Sequence, residues 1–296
     1  MLLSAGLTVS AAIGSAISRA GLNIVDRRMF GHVRVSVPLG SIANNLLPAL
    51  IATVGCSVGL DHRTFWASLT NIGVIVFAFF AQLVAVLFSY ALRESPVPRA
   101  IVFSKVPDLF IPFGIWIFTS KFSGIDYLFS AATVAACVPV LFEVLDKETG
   151  SNRWLIAVAV GITVQGSLSS ALLRTDGFRI SEWIAMIGST VIWRLPFSTI
   201  LLVWAPERPV QALVTLIRVQ PWNTLLRSAL TVFMQITLIL AIAGGHPVVA
   251  WPILNATPLF SAVAAAYFLR ERPTWPESLA CALILIVALG RLFIRF

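Results

Sequence analysis

Charged residues are scarce in this sequence: they make up 11% of its 296 residues, while apolar residues make up 58%. A soluble domain carries roughly 25% charged residues, because a surface in water has to be covered by solvated groups. This shortage and the mean hydropathy of +0.91 therefore exclude a water-soluble globule. The net charge of +8 is not a nucleic-acid signal, because the basic residues stand singly or in short groups between apolar runs. We expect no nucleic-acid partner.

The sequence also lacks the motifs of several kinds of enzyme. It has no glycine-rich phosphate loop ending in Lys-Ser or Lys-Thr, which argues against ATP hydrolysis, and no His-Glu-x-x-His. The histidines stand far apart, and the three cysteines lie inside apolar runs without pairing or metal spacing. We therefore expect no cofactor, no metal site and no enzymatic activity. The alternative function is an intramembrane enzyme that acts on a lipid-linked substrate.

Long apolar runs fill most of the chain. A membrane-spanning helix needs about 20 mostly apolar residues, and ten such runs are separated by short breaks that carry turn residues and charges. The predicted fold class is therefore all-α, a polytopic membrane protein of ten transmembrane helices. The predicted spans are 4–25, 35–59, 66–92, 98–119, 124–145, 153–173, 182–205, 223–243, 247–270 and 276–294.

The most polar break, at 146–153, falls at the middle of the chain and divides the spans into two sets of five. The predicted halves are 4–145 and 153–294. Because each half has an odd number of spans, the second half has to insert in the opposite orientation. Inverted repeats of this kind are typical of secondary transporters, whose substrate site lies near the midplane where the halves meet.

A weak internal repeat supports this division. Pro107 aligns with Pro258, and Leu109-Phe110 aligns with Leu259-Phe260 when Asp108 is left unmatched. These stretches fall in the fourth span of each half. Prolines in corresponding spans predict broken helices at corresponding places, which in transporters mark the binding site.

The last fifty residues, 244–293, resemble the end of an EamA domain of the drug/metabolite transporter superfamily. The resemblance is carried by Pro-Leu-Phe at Pro258–Phe260, the small-residue helix after it, the Arg-Glu-Arg-Pro turn around Glu271, and a last span with a late Gly290. The first half departs from the pattern, because Lys121 stands where Glu271 stands in the second. The resemblance implies two inverted five-helix repeats and the export or exchange of a small solute.

Four ionisable residues lie well inside predicted spans, where charge is costly and normally faces the interior of the bundle: Arg19, Lys105, Asp108 and Arg194. Lys105 and Asp108 are three residues apart and share a helix face. They form either part of a substrate site or a private ion pair that lets the helix insert.

Arg194 is a candidate to bind a carboxylate or phosphate with both ends of its guanidinium, and its alternative role is as a partner for Asp108. Arg19 binds substrate or extends towards the membrane surface. If all four charged residues are interior, the cavity carries +2, which favours an amino acid or an organic anion as the substrate.

Uncharged polar residues and one tryptophan complete the candidate site. Polar groups inside spans bind substrate or hydrogen-bond between helices, and the sequence leaves both roles open. These candidates are Asn44, Asn45, Gln82, Gln235, Asn255 and the possible cavity wall Trp251.

The expected setting is a multi-pass position in a cell membrane, the bacterial inner membrane, as a monomer or homodimer. The partners expected are the lipid bilayer and a small-molecule substrate. The odd-numbered connections between spans hold twelve lysines and arginines, and the even-numbered connections with the C-terminus hold six. Basic connections stay in the cytoplasm, so this count places both termini outside, whereas the resemblance implies both termini inside.

Overall fold

The computed structural model describes residues 5–120, 124–146, 151–173, 179–204, 209–243, 250 and 253–293. Within these ranges the chain is helical and contains no strand. The helices are α1 (Ala5–Asp26), α2 (Val37–Gly59), α3 (His62–Leu69), α4 (Ile72–Glu94), α5 (Val97–Phe103), α6 (Ile111–Thr119), α7 (Gly124–Asp146), α8 (Ser151–Leu173), α9 (Ile180–Ile200), α10 (Pro209–Val219), α11 (Pro221–Ala243), α12 (Thr257–Ala264) and α13 (Trp275–Phe293).

Five of the described stretches are long and apolar enough to cross a membrane: Val37–Gly59, Ile72–Glu94, Val97–Phe118, Tyr127–Val144 and Pro221–Ala241. Shorter apolar helices accompany them at Val210–Val219, Ile253–Leu269 and Trp275–Gly290. Less than a third of the most apolar stretch of α4 is buried, so most of that surface faces lipid. The prediction of an all-helical, multi-pass membrane protein is therefore confirmed at this level.

The helices of the first half of the chain pack chiefly on helices of the second half. α1 packs against α11 and α12, α2 against α9 and α11, and α4 against α8 and α9. α6 packs on α8, and α7 packs on α13. The largest apolar core joins both halves, through side chains such as Leu92, Val102, Leu155 and Ile284. Polar groups that cross this interface are therefore enclosed by the bundle.

The third predicted span, 66–92, is two helices in the structure. The Asp61 carboxylate caps α3 by accepting from the Thr64 N–H at 2.8 Å, and hydrogen bonds from Thr64 lower the pKa of this carboxyl. Asn71 then caps α4 by accepting from the Gly73 N–H at 2.8 Å. Two N-cap residues in succession start two helices, so the spanning helix begins only at Ile72.

The fourth predicted span, 98–119, is broken into three pieces. α5 ends at Phe103, a 3₁₀ turn covers Val106–Leu109, and α6 begins at Ile111. Pro107 lies in the turn, and proline cannot donate the backbone hydrogen bond that a continuous α-helix needs. In the second half, a turn at Ala256 precedes α12, which has a proline in its first turn. Both of the expected breaks are present.

Close packing of α4 on α8 depends on Gly73. A Cβ atom at this position would collide with the carbonyl oxygen of Leu172, which is backbone and cannot rotate away. We expect Gly73→Ala to lower the free energy of unfolding by about 1–3 kcal/mol, the usual cost of overpacking. Gly55→Ala is the matched control, because nothing lies within 4 Å of a Cβ there. Thermal unfolding of the two purified variants should separate them, and equal melting temperatures would contradict this packing.

Candidate functional site

A buried ion pair joins the two halves inside the bundle. Asp26, at the end of α1, and Arg227, in α11, are 9% and 8% exposed. Arg227 Nε donates to Asp26 Oδ1 at 3.0 Å and Nη2 donates to Oδ2 at 3.3 Å, so the pair is bidentate. Thr231 accepts a third bond from Arg227 at 3.0 Å. The charges of both residues are therefore neutralised locally.

Two adjacent asparagines on α2 extend this pair into a network. Asn44 donates to Asp26 Oδ1 at 3.5 Å. Asn45 donates to Gln82 Oε1 on α4 at 3.0 Å and to the Ser198 hydroxyl on α9 at 2.6 Å. The same Gln82 oxygen accepts from Arg194 Nε on α9 at 3.1 Å. We call these residues the central network: Asp26, Arg227, Asn44, Asn45, Gln82, Arg194 and Ser198.

Arg19 lies on the inward face of α1 and is nevertheless exposed. Ser15 and Asn23, four residues to either side of it, are buried. Ser15 donates to the Met234 carbonyl, and Asn23 donates to the Ser261 hydroxyl at 3.0 Å. The exposed apolar face of α1 contains Ile17, which is turned about 160° away from Arg19 at 100° per residue. Arg19 therefore does not extend over the lipid face of α1.

Arg19, Arg194 and Arg227 each lie well inside their helices. Arg19 precedes the end of α1 by seven residues, Arg194 precedes the end of α9 by six, and Arg227 follows the start of α11 by six. At 1.5 Å per residue these distances are about 9–11 Å.

The second half of α2 has a broad exposed face. Thr53, Val54 and Gly55 are all exposed, and three consecutive helical residues cover about 200° of the circumference. The next residue, Cys56, is buried against Gly188 and the Ile184 carbonyl of α9.

Lys105 connects the two broken helices. Its ammonium group donates to Asn255 Oδ1 at 3.0 Å and lies 3.7 Å from Asp108 Oδ2. The Lys105 and Asp108 side chains are 16% and 28% exposed. A cavity of about 40 Å³ lies beside them and is lined by Asp108, Asn255, Ser130 and Thr133. It has room for ordered water but not for a metabolite, so this cluster bridges the halves in the conformation described.

The side of the bundle at the end of α1 is closed by a second set of ion pairs. Glu271 accepts from Arg27 Nε at 2.6 Å and from the Val97 N–H, at the start of α5, at 2.9 Å. His32 Nε2 lies 3.5 Å from the same carboxylate, and Arg27 Nη1 also donates to the Leu92 carbonyl at 2.7 Å. We call Glu271, Arg27, His32 and the Val97 N–H the Glu271 cluster, and this end of the bundle the Glu271 side. Through these contacts Glu271, which lies between α12 and α13, is joined to the segment that follows α1, and through it to α4, and directly to the start of α5.

A further ion pair lies on the same side. Arg99 in α5 binds Glu143 of α7 at 3.0 Å and Glu277 of α13 at 3.2 Å. Glu277 is 2% exposed and also accepts from the Thr274 N–H at 2.9 Å. On the Glu271 side, ion pairs therefore also join α5 to α7 and to α13.

The structure brings the sequence-predicted residues together in two groups. Gln82 and Arg194 belong to the central network, whereas Lys105, Asp108 and Asn255 form the link between the broken helices. Arg194 is not paired with Asp108, so that alternative is wrong. Gln235 is half-buried and has no hydrogen-bond partner within the described residues. Trp251 lies outside the described residues.

Sequence reasoning missed the pair of Asp26 and Arg227. Asp26 falls in a predicted connection, and Arg227, near the start of the predicted span 223–243, is counted with the basic residues of the connections. A signal was present in α1, where Thr8, Ser15, Arg19, Asn23 and Asp26 follow each other at intervals of three, four or seven residues. Such intervals place all five on one helix face. A polar face on an otherwise apolar helix marks the side that is turned away from lipid.

Residues 55–59, Gly-Cys-Ser-Val-Gly, have the spacing of a hydrolase nucleophile elbow. That motif requires a sharp strand-to-helix turn that exposes the serine, whereas these residues continue α2 to its end. A cavity of about 130 Å³ beside Ser57 is lined by His62 and Trp66, but His62 Nε2 accepts from Trp66 Nε1 at 2.7 Å. The match is therefore a small-residue helix end. Within the described residues no group of three metal-ligating side chains occurs.

Comparison with known proteins gives the fold and no activity. No family model matches the chain, and no curated protein matches it. Twenty chains of solved structures do match. One of them, described only as "Crystal structure of protein", covers 99% of this chain and 99% of its own length with a TM-score of 0.58 and 15% identity. At that identity the similarity shows that the two share a fold along their whole length.

Proposed function

We propose that this chain is a secondary membrane carrier, which exports or exchanges a small metabolite, such as an amino acid or organic anion, by alternating access. Ten spans form two inverted EamA-like repeats, 4–145 and 153–294, of the drug/metabolite transporter type in a bacterial inner membrane. The observation that carries the proposal is the exposed Arg19 on the inward face of α1, above a charged network that crosses the interface between the halves.

The pattern of helix packing supports the two repeats. Exchanging each first-half helix with its second-half counterpart turns every pairing named in the overall fold into another pairing named there. The exchanged helices are α1 with α8, α2 with α9, α4 with α11, α5–α6 with α12, and α7 with α13. The α1–α11 pair becomes α8–α4, the α4–α9 pair becomes α11–α2, and the α1–α12 pair becomes α8–α6. The α2–α9 and α7–α13 pairs map onto themselves. A two-fold axis between the halves accounts for all of these pairings at once.

Local geometry supports the same correspondence. Ser120 and Arg270 both have positive φ angles, of 57° and 59°, and both follow the helix that comes after a break. They are 150 residues apart, which is the offset that aligns Leu109 with Leu259. Left-handed non-glycine residues are uncommon, so their recurrence at matching positions of the two halves supports a common origin of the halves.

The charged clusters support alternating access as the mechanism. The Glu271 cluster joins the two halves on one side of the central network. A carrier in one of its two end states is closed on one side of its site. Breaking the Glu271 cluster would open that side.

The test is comparative metabolite profiling of the medium from cells that overproduce the protein and from cells that lack it. We expect one small class of solutes to differ, and Lys105→Ala to reduce the difference at least about tenfold, because it breaks the link between the halves at Asn255. Arg179→Ala is the control, since Arg179 is exposed and its ion pair is with Glu182, three residues away in the same half. Unchanged profiles on overproduction would contradict the carrier, and a fully active Lys105→Ala would remove Lys105 from the mechanism.

A further inference from the structure

Two of the arginines in the bundle have no carboxylate partner. Arg227 is neutralised by Asp26, and Lys105 by Asp108. Within the described part of the chain, neither Arg19 nor Arg194 lies within ion-pair distance of a carboxylate. The four basic residues Arg19, Arg194, Arg227 and Lys105 and the two carboxylates of Asp26 and Asp108 sum to +2, and the uncompensated charge lies on Arg19 and Arg194.

The orientation of Arg194 leaves its terminal nitrogens available. Only Nε donates to Gln82, and Gln82 is itself held by Asn45 at 3.0 Å. Nη1 and Nη2 make no hydrogen bond to any described residue. These two nitrogens form the planar fork that binds a carboxylate or phosphate through two parallel hydrogen bonds.

Both arginines lie inside their helices and on faces turned towards the bundle. Arg19 is exposed on the inward face of α1, and Arg194 is half-buried, with Asp26 and Arg227 as the nearby charges that act on it. An uncompensated cation inside a membrane bundle is costly and normally marks a substrate pathway. A neutral or cationic substrate would leave this charge uncompensated, whereas an anion would neutralise it.

We infer that the substrate is a small organic anion, whose carboxylate or phosphate group binds the free fork of Arg194, with Arg19 as a second uncompensated positive charge inside the bundle. This inference rests on the proposed function, because it names the substrate class of the same carrier site. Asp26 occupies the guanidinium of Arg227, so Arg227 is not part of the binding group.

The test measures the melting temperature of the purified protein in detergent against increasing concentrations of succinate or inorganic phosphate. A ligand that binds the folded state raises the melting temperature, and the rise grows with the logarithm of the ligand concentration relative to its Kd. We expect at least one of these probes to stabilise the protein, and succinamide and tetraphenylphosphonium at equal ionic strength not to do so. A response to succinate alone identifies a carboxylate site, and a response to phosphate alone identifies a phosphate site.

Variants separate the site from general charge effects. Arg194→Gln and Arg19→Gln should each raise the apparent Kd of the responding probe at least about tenfold, and Arg194→Lys, which keeps the charge but loses the fork, should give an intermediate value. Arg218→Gln is the matched control, because Arg218 is exposed on α10. Circular dichroism identifies any variant that is unfolded, and Arg194→Lys keeps the test valid if Arg194→Gln is one of them.

The outcomes distinguish this inference from the proposed function. No stabilisation by either anion, or equal stabilisation of Arg194→Gln and the unchanged protein, overturns the anion site. If medium profiles change for cations or zwitterions only, the carrier remains and the anion inference is wrong. If profiles do not change but succinate or phosphate binds through Arg194, the anion site remains and the carrier is wrong.

Discussion

Arg227→Met and Asp26→Leu are each expected to destabilise the folded protein strongly, whereas the double variant is expected to recover most of the loss. Each single substitution leaves one uncompensated charge at a position that is 8% or 9% exposed. Removing one partner of a buried ion pair costs about 3–5 kcal/mol. Replacing both by apolar side chains of similar volume removes the uncompensated charge and is often neutral.

The measurement is a double-mutant cycle on thermal unfolding of the detergent-purified protein. A coupling energy of about 2 kcal/mol or more would be expected, since residues in direct contact commonly couple by 0.5–3 kcal/mol. Arg218→Met is the control for arginine replacement at an exposed site. If the losses of the two single variants simply add in the double variant, Asp26 and Arg227 are not paired in the folded protein.

The same double variant also tests why the pair exists. A pair that can be replaced without loss of stability has a role other than holding the fold. We expect the double variant to fold and yet no longer to change the metabolite content of the medium, because Asn44 of the central network donates to the Asp26 carboxylate. A stable double variant that still transports would show that the pair is needed neither for stability nor for transport.

How much of this molecule the sequence predicts depends on how local each feature is. Helices in a membrane follow from run length alone, because lipid offers no other partner for backbone polar groups. The ion pair of Lys105 with Asp108 is three residues apart and follows from helix geometry. The pair of Asp26 with Arg227 spans 201 residues of sequence, and only the packing of α1 on α11 brings its partners together.

The assignment of charged residues to connections also has a physical explanation. Arg227 lies inside the predicted eighth span, 223–243, but so near its start that it is counted with the preceding connection, although it lies six residues inside α11. Helix α10 was missed for a related reason. Its apolar residues are interspersed with Gln211 and Arg218, an amphipathic pattern typical of a helix that lies along a membrane surface. Neither feature is visible to a search for uniformly apolar runs.

Glu271→Gln is expected to open the Glu271 side of the bundle. The carboxylate uses one oxygen for Arg27 and the other for the Val97 N–H. Glutamine keeps a single acceptor oxygen and no charge, so one of the two contacts and the ion pairing are lost. The side chains of Glu271 and Arg27 are both 14% exposed, so the loss is expected to exceed that of a surface pair, which is worth about 0–1 kcal/mol.

The probe is a single cysteine at position 228, introduced as Ser228→Cys after the three native cysteines are replaced by alanine. Ser228 follows Arg227 in α11, is fully buried, and its hydroxyl has no hydrogen-bond partner among the described residues. Cysteine therefore fits there at little cost. A membrane-impermeant maleimide added from the Glu271 side should label it slowly when the cluster is intact.

We expect Glu271→Gln to raise the labelling rate from that side about tenfold, which corresponds to a loss of about 1.4 kcal/mol from the closed state. Labelling from the opposite side should fall, because a protein that opens on one side of an alternating-access site closes on the other. Glu182→Gln is the matched control, since Glu182 pairs with Arg179 within one half. A rise on both sides would indicate loosened structure, and no rise on the Glu271 side would show that this cluster does not control access to the central network.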